Sequence, residues 1–469
     1  MKTEKNIKET RVKSFKRRSK AMSNAVMKKF REQMPEISKF KDRMKNIYQT
    51  SKLKMKLKAR KYARISEEHV ISTGTKHGDL FEKARNFTAA NEVRAAGLYP
   101  YFRALESGQD TEVMYHNKKL IMIGSNNYLG LTSHPKVKEA VIEAVKKYGS
   151  GCSGSRFLNG TLDLHVELEN RLAKFMNKET VLVFSTGFTT NLGVISYIAG
   201  KDDVILCDRT NHASIIDGCR LSFAKTMKFK HNDMEDLERL ISKIDPKAGK
   251  LIVVDGVFSM EGDLVNLPGI VKIAQKHGAR VMVDDAHSLG VFGKNGRGTA
   301  EHFGLEDKVD MIMGTFSKSF ASLGGFIASE APVIDYLKLS REQIFQASCP
   351  PANVAAVLAA LDIIEAEPER REHLWKITRK MLQGYKDLGF KIGNSESPII
   401  PIFVGDDYKC FKMSKMLEDE GVFVNPIVSP AVPPGQALIR TSYTATHTEK
   451  EMDFVLEKFK KVGKELGII

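Results

Sequence analysis

Cysteine is scarce in this chain: five residues in 469, at Cys152, Cys207, Cys219, Cys349 and Cys410, with no CxxC pair among them. An odd and scattered set excludes a disulfide framework and a paired-cysteine zinc site, and it predicts a reducing, cytoplasmic setting. No uninterrupted apolar run reaches the roughly 18 residues that a spanning helix requires. The start lacks the short apolar stretch and small-residue cleavage site of a secretory signal. No His, Cys or Asp cluster has metal-ligand spacing and no GxSxG elbow occurs, so neither a bound metal nor serine-hydrolase chemistry is expected.

The body of the chain also lacks net charge, although the whole carries +16. Residues 1–66 hold 23 Lys and Arg against 5 Asp and Glu, which leaves 50 bases and 52 acids for everything after. All the basic excess therefore sits in an N-terminal extension, interrupted by Pro35. Such asymmetry points to an anionic surface, whether nucleic acid, the lipid headgroups of a membrane or an acidic carrier protein, against the plainer reading of a solvated tail. No specific nucleic-acid recognition is expected.

What the body does contain is an alternation of apolar runs and helical patterns. Strands are expected at Thr180–Phe184, Asp203–Cys207, Leu251–Asp255, Arg280–Asp284 and Val309–Met313. Helices are expected over Thr189–Ile198 and Leu267–His277. Continuous apolar runs bounded by helices imply strands covered on both faces, hence an α/β fold with a mostly parallel sheet. After Pro350 two long helical stretches, Asn353–Ala366 and Arg371–Leu388, lead to short strands at Ile399–Val404 and Ala437–Thr441. The expected organisation is an extension (1–66), an arm (67–118), a large α/β domain (119–350) and a small C-terminal α+β domain (351–469).

Polar residues follow directly after the expected strands: Ser185 to Gly187, Asp208 to His212, Asp284 to His287, and Thr315 to Lys318. Ligands in open α/β sheets bind outside the carboxyl ends of strands, so these clusters should converge. An aldehyde cofactor would demand a lysine, an acid for its ring nitrogen, a flat group, phosphate donors and a carboxylate clamp. Lys318 lies among hydroxyls in GTFSKS (314–319). Asp284 ends an apolar strand and suits a pyridinium nitrogen, with Asp285 its competitor by position. His287 is placed for a phenolic oxygen, His212 offers a ring for stacking, and Gly187 with Phe188 opens a helix where amides favour phosphate. Arg440 suits bidentate binding of a carboxylate. Taken singly, each is an ordinary loop, cap or surface residue.

Read together, six segments resemble the α-oxoamine synthases, pyridoxal-phosphate enzymes of fold type I, the aspartate-aminotransferase-like fold. They are SNNYLGL (125–131), GSGCSGSRFLNGTLDLHVELE (149–169), FSTGF (184–188), NHASIIDG (211–218), VDDAHSLGVFG (283–293) and GTFSKSFASLGGF (314–326). The resemblance spans roughly 95–460 and implies pyridoxal 5'-phosphate on Lys318. It also implies a decarboxylating condensation of a small amino acid with an acyl thioester, carried by CoA or an acyl-carrier protein. By matching positions, Asp284 would face the ring nitrogen, His287 the phenolic oxygen and His212 the ring face. Gly187, Phe188, Thr315 and Ser317 would hold the phosphate, with Ser348 reaching across from a second subunit of a homodimer. Ser259 would lie near the ring, while Asn127 and Arg440 would meet the substrate carboxylate. GTLDLHVELE and VNPIVSPAVPPGQALIR look most like the sphingolipid-forming branch, which implies L-serine; other members take glycine, alanine or cysteate. Some of that branch carry arginine where this chain has Val428.

Overall fold

The computed structural model describes residues 79–469. The expected extension (1–66) and the first part of the arm lie outside them. The described residues fall into two compact units, one containing 79–101 and the other Phe102–Ile469. The described part of the first holds two short helices, Glu82–Arg85 and Ala89–Ala95. There Arg94 stacks over the Tyr99 ring at 4.2 Å.

The second unit begins with the hairpin β1 (Glu112–Tyr115) and β2 (Lys118–Met122). Seven strands follow: β3 (Thr180–Phe184), β4 (Val204–Asp208), β5 (Lys225–Phe229), β6 (Lys250–Asp255), β7 (Arg280–Asp284), β8 (Met311–Thr315) and β9 (Gly325–Ser329). They form one sheet in the order β3-β9-β8-β7-β6-β4-β5. Only β9 runs against its neighbours, so β3 to β8 all end at the same edge. This is the mostly parallel sheet of fold type I.

Both faces of the sheet are buried, which is why its strands read as unbroken apolar runs. Val181, Val183, Val281 and Val283 face one core with Leu168, Leu172 and Phe326. Leu182, Phe184 and Met282 face the other with Val194, Ile195 and Ile215. The helices are punctuated as physics requires. Asn266 caps the helix Leu267–His277 by accepting from Gly269 N–H, and Gly278 at φ +63° ends it. One expected strand is displaced by two residues. The run predicted at Val309–Met313 forms a strand at Met311–Thr315, because β9 pairs with Gly314 and Thr315; Phe326 and Leu289 pack against Gly314 where any side chain would collide.

After the long helices Pro351–Ala366 and Pro368–Asp387 come β10 (Ile399–Gly405), β11 (Val422–Phe423), β12 (Asn425–Ile427) and β13 (Ala437–Ser442). β10, β13 and β12 make an antiparallel sheet, while β11 adds in parallel to β2. Ser442 N–H donates to Ile123 O and Ala445 N–H to Tyr128 O. These bonds bring β13 and the segment 123–128 together, and with them Arg440 and Asn126.

Candidate active site

The four polar clusters do converge at the carboxyl edge of the sheet. The helix Gly187–Ile198 starts there, capped by Thr186, whose side chain accepts from Thr189 N–H. The N–H groups of Gly187 and Phe188 have no acceptor among the described residues. A Cβ on Gly187 would lie 2.7 Å from Thr315 Oγ1, so only glycine lets the helix end meet that hydroxyl. Thr315 Oγ1 in turn sits 3.0 Å from Ser317 Oγ. Two free amides and two hydroxyls thus gather at a helix N-terminus, a combination that suits a phosphate.

Lys318 is half-buried, and among the described residues its Nζ makes no hydrogen bond. Burial lowers its pKa to about 8, with Arg440 adding to the effect and Asp284 and Asp255 opposing it. At pH 7 about one tenth of the amine is therefore without its proton, far more than for an ordinary lysine, and that form is the one an attack on an aldehyde requires.

Asp284 is the acid that faces this site. Its Oδ2 accepts from Asn191 Nδ2 at 2.7 Å and its Oδ1 from Ala286 N–H at 3.0 Å. Asp255, its register partner on β6, accepts from His212 N–H at 2.7 Å. Burial, with the Asp284 carboxylate beside it, pushes Asp255 well above the usual carboxylate range. His212 caps the helix Ala213–Leu221 through its ring, and the Phe188 ring stands edge-on to it at 6.3 Å. Partial burial and the Lys318 charge hold its imidazole below the ordinary range, against the pull of Asp284. His287 is buried, its Nδ1 2.7 Å from the Tyr128 hydroxyl. Desolvation, then Lys318 and Arg440, keep His287 well below the usual imidazole value, hence neutral.

Arg440 enters from β13, 6% exposed and with no carboxylate partner among the described residues. Its Nε donates to Ser259 O at 2.7 Å and its Nη2 to Asn126 Oδ1 at 3.0 Å. A buried guanidinium without an acid is held ready for an anion.

Asn127 is engaged elsewhere, and Ser348, expected to serve a second subunit, lies against the glycine-rich segment of its own chain. Asn127 donates from Nδ2 to Thr132 Oγ1 at 2.7 Å and accepts from Leu131 N–H, so it closes its own turn while Asn126 meets Arg440. Ser348 donates its N–H and its hydroxyl to Gly154 O in the glycine-rich segment. Asn126, Tyr128, Asn191, Ser214 and Asp255 were not anticipated. Asp255 carried the same signal as Asp284, an acid ending an apolar strand; Asn191 had none beyond lying one turn after Gly187.

The pattern of the aminotransferase class I and II family matches residues 118–459. A serine palmitoyltransferase of Sphingobacterium spiritivorum is 56% identical, over 83% of this chain and 98% of that protein. An 8-amino-7-oxononanoate synthase of Symbiobacterium thermophilum is 46% identical, over 81% of this chain and 97% of that one. A solved structure of a serine palmitoyltransferase with pyridoxal phosphate as internal aldimine superimposes with a TM-score of 0.82 at 39% identity, covering 83% of this chain and all of that one. The chain therefore belongs to the aminotransferase class I and II family, as a pyridoxal-phosphate enzyme of the α-oxoamine synthase group.

Proposed function

We propose that the protein condenses L-serine with a long-chain acyl thioester, with loss of CO₂, to give 3-oxosphinganine, the first step of sphingolipid synthesis. The observation that carries this reading is a Lys318 amine with no hydrogen bond, and an Arg440 guanidinium with no carboxylate partner, among the described residues and close enough to act on each other, in a chain 56% identical to a protein named serine palmitoyltransferase. When bound, pyridoxal phosphate supplies an electron sink for the negative charge that develops at the amino acid's Cα.

The chain's own residues divide the remaining work. Gly187 and Phe188 amides with Thr315 and Ser317 hydroxyls would hold the phosphate. Asp284 would serve the ring nitrogen, His287 the phenolic oxygen, and His212 would cover the ring. Ser259, through its carbonyl, and Asn126 orient Arg440 toward the substrate carboxylate. Lys318, whose amine makes no hydrogen bond among the described residues, would be the base for the Cα proton. Val428 packs partly buried against the core, so Arg440 is the cation left for the carboxylate.

Phe157, Leu158, Leu323 and Phe345 are exposed around the contact of Ser348 with Gly154. Such an apolar patch suits the partner of a homodimer, measurable as a doubled mass in solution. Residues 1–66 are assigned to an anionic membrane surface, testable by liposome sedimentation with and without them.

The deciding assay pairs serine, glycine, alanine and cysteate with palmitoyl, acetyl and pimeloyl thioesters and identifies products by mass. Serine with palmitoyl thioester should dominate, and Lys318→Ala should abolish both product and yellow colour. Preference for alanine and a pimeloyl thioester would favour 8-amino-7-oxononanoate synthesis instead.

A further inference from the structure

The ring of His212 does not stand alone. Its Nδ1 lies 3.3 Å from the backbone nitrogen of Ser214, and a backbone N–H can only donate, so Nδ1 presents its lone pair. The Ser214 hydroxyl is 2.7 Å from the same nitrogen. That hydroxyl oxygen already accepts from Asn191 Nδ2 at 2.9 Å, which leaves its own proton directed at Nδ1. The second Asn191 Nδ2 proton goes to Asp284 Oδ2.

Asn191 is fully buried, and its Oδ1 has no hydrogen-bond partner among the described residues. An unpaired buried carbonyl is unfavourable, so something must hold the amide this way round. Turned over, its oxygen would lie 2.7 Å from the Asp284 carboxylate, acceptor against acceptor, and the nitrogen would face no partner. Asp284 therefore fixes the amide, the amide fixes the Ser214 hydroxyl, and the hydroxyl fixes the imidazole.

We infer that Asn191 and Ser214 are positioning residues that hold His212 as a neutral imidazole protonated on Nε2, so that its ring donates a hydrogen bond and does not accept a proton. Among the described residues the Nε2 has no partner, which leaves that N–H for a group entering the site. Removal of the Cα proton then falls to Lys318. The relay also ties the residue covering the cofactor ring to the carboxylate facing its nitrogen. The inference rests on the cofactor placement proposed above, but not on serine being the substrate.

The test uses the full chain with pyridoxal phosphate bound and its 12 histidines labelled with nitrogen-15. The His212 signals are identified by their absence from His212→Asn. At neutral pH the long-range proton–nitrogen pattern should show Nε2 protonated and Nδ1 bare. Ser214→Ala and Asn191→Ala should each shift that pattern toward the other tautomer. Each should also raise the amino-acid KM about tenfold with the visible cofactor absorbance retained. A protonated Nδ1 in the unmodified protein, or a pattern unmoved by both substitutions, would overturn the inference. Failure to condense serine would change the activity assay and leave the tautomer pattern as it is.

Discussion

Asp284 and Asp285 are neighbours in the chain whose carboxylates turn to different partners: Asp284 to Asn191 and the Ala286 amide, Asp285 to Thr299 and Ser288. Asp285 is wedged where Gly256 and Gly298 leave room, since a Cβ on either would lie within 2.3 Å of its oxygens. Burial raises its pKa to about 6, partly offset by those hydroxyl donors.

The two positions should therefore separate by substitution. Asp284→Asn is expected to keep the fold and lower condensation about 100-fold or more, as loss of a preorganised electrostatic partner does. Asp285→Asn should retain activity per folded molecule and lose about 1–3 kcal/mol of stability, because an amide has one acceptor oxygen where the carboxylate has two, and its NH₂ would face a donor. Parallel turnover and thermal-unfolding measurements check both; the reverse pattern would exchange their roles.

Lys318 gives a pH dependence with a definite sign. Its folded pKa of about 8 lies below the usual 10.5, so burial of the ammonium opposes folding fully below pH 8. That cost is relieved as pH rises from about 8 toward 10.5, where only the unfolded state stays charged. The unprotonated fraction should rise from about one tenth at pH 7 to about nine tenths at pH 9. Colour development on adding pyridoxal phosphate to cofactor-free protein should accelerate through that window. A flat profile would refute the assignment.

Arg440→Ala should raise the amino-acid KM about 10- to 100-fold, since a bidentate charged contact is lost, while cofactor absorbance changes little. Titration with serine, followed optically, reads the two effects apart.

Gly187→Ala and Gly314→Ala probe close packing rather than charge. At Gly314 a methyl would meet Phe326 at 2.3 Å and Leu289 at 2.4 Å, so the variant should lose at least about 1–3 kcal/mol. At Gly187 the methyl would press on Thr315, and weakened cofactor retention on dialysis is expected before any loss of fold.

The strand Arg280–Asp284 and the helix Leu267–His277 lie where the apolar runs and their punctuation put them. Their signals are local: hydrophobic period, a cap, a terminating glycine. β9 was not foreseen. Its residues Gly325–Ser329 look like the tail of a small-residue loop, and only pairing against β3 and β8 makes them a strand.

By itself the sequence determined the alternation of strands and helices and the acids, hydroxyls and lysine that follow strand ends. A parallel sheet gathers whatever follows its strands at one edge. Only the tertiary structure decided which of two adjacent residues faces inward. Asn126 rather than Asn127 meets Arg440, and Asp284 rather than Asp285 meets Asn191. Direction at a turn depends on which hydrogen bonds the surrounding elements leave unsatisfied, and those elements are distant in the chain: Asn126 and Arg440 are 314 residues apart. No local pattern encodes that meeting.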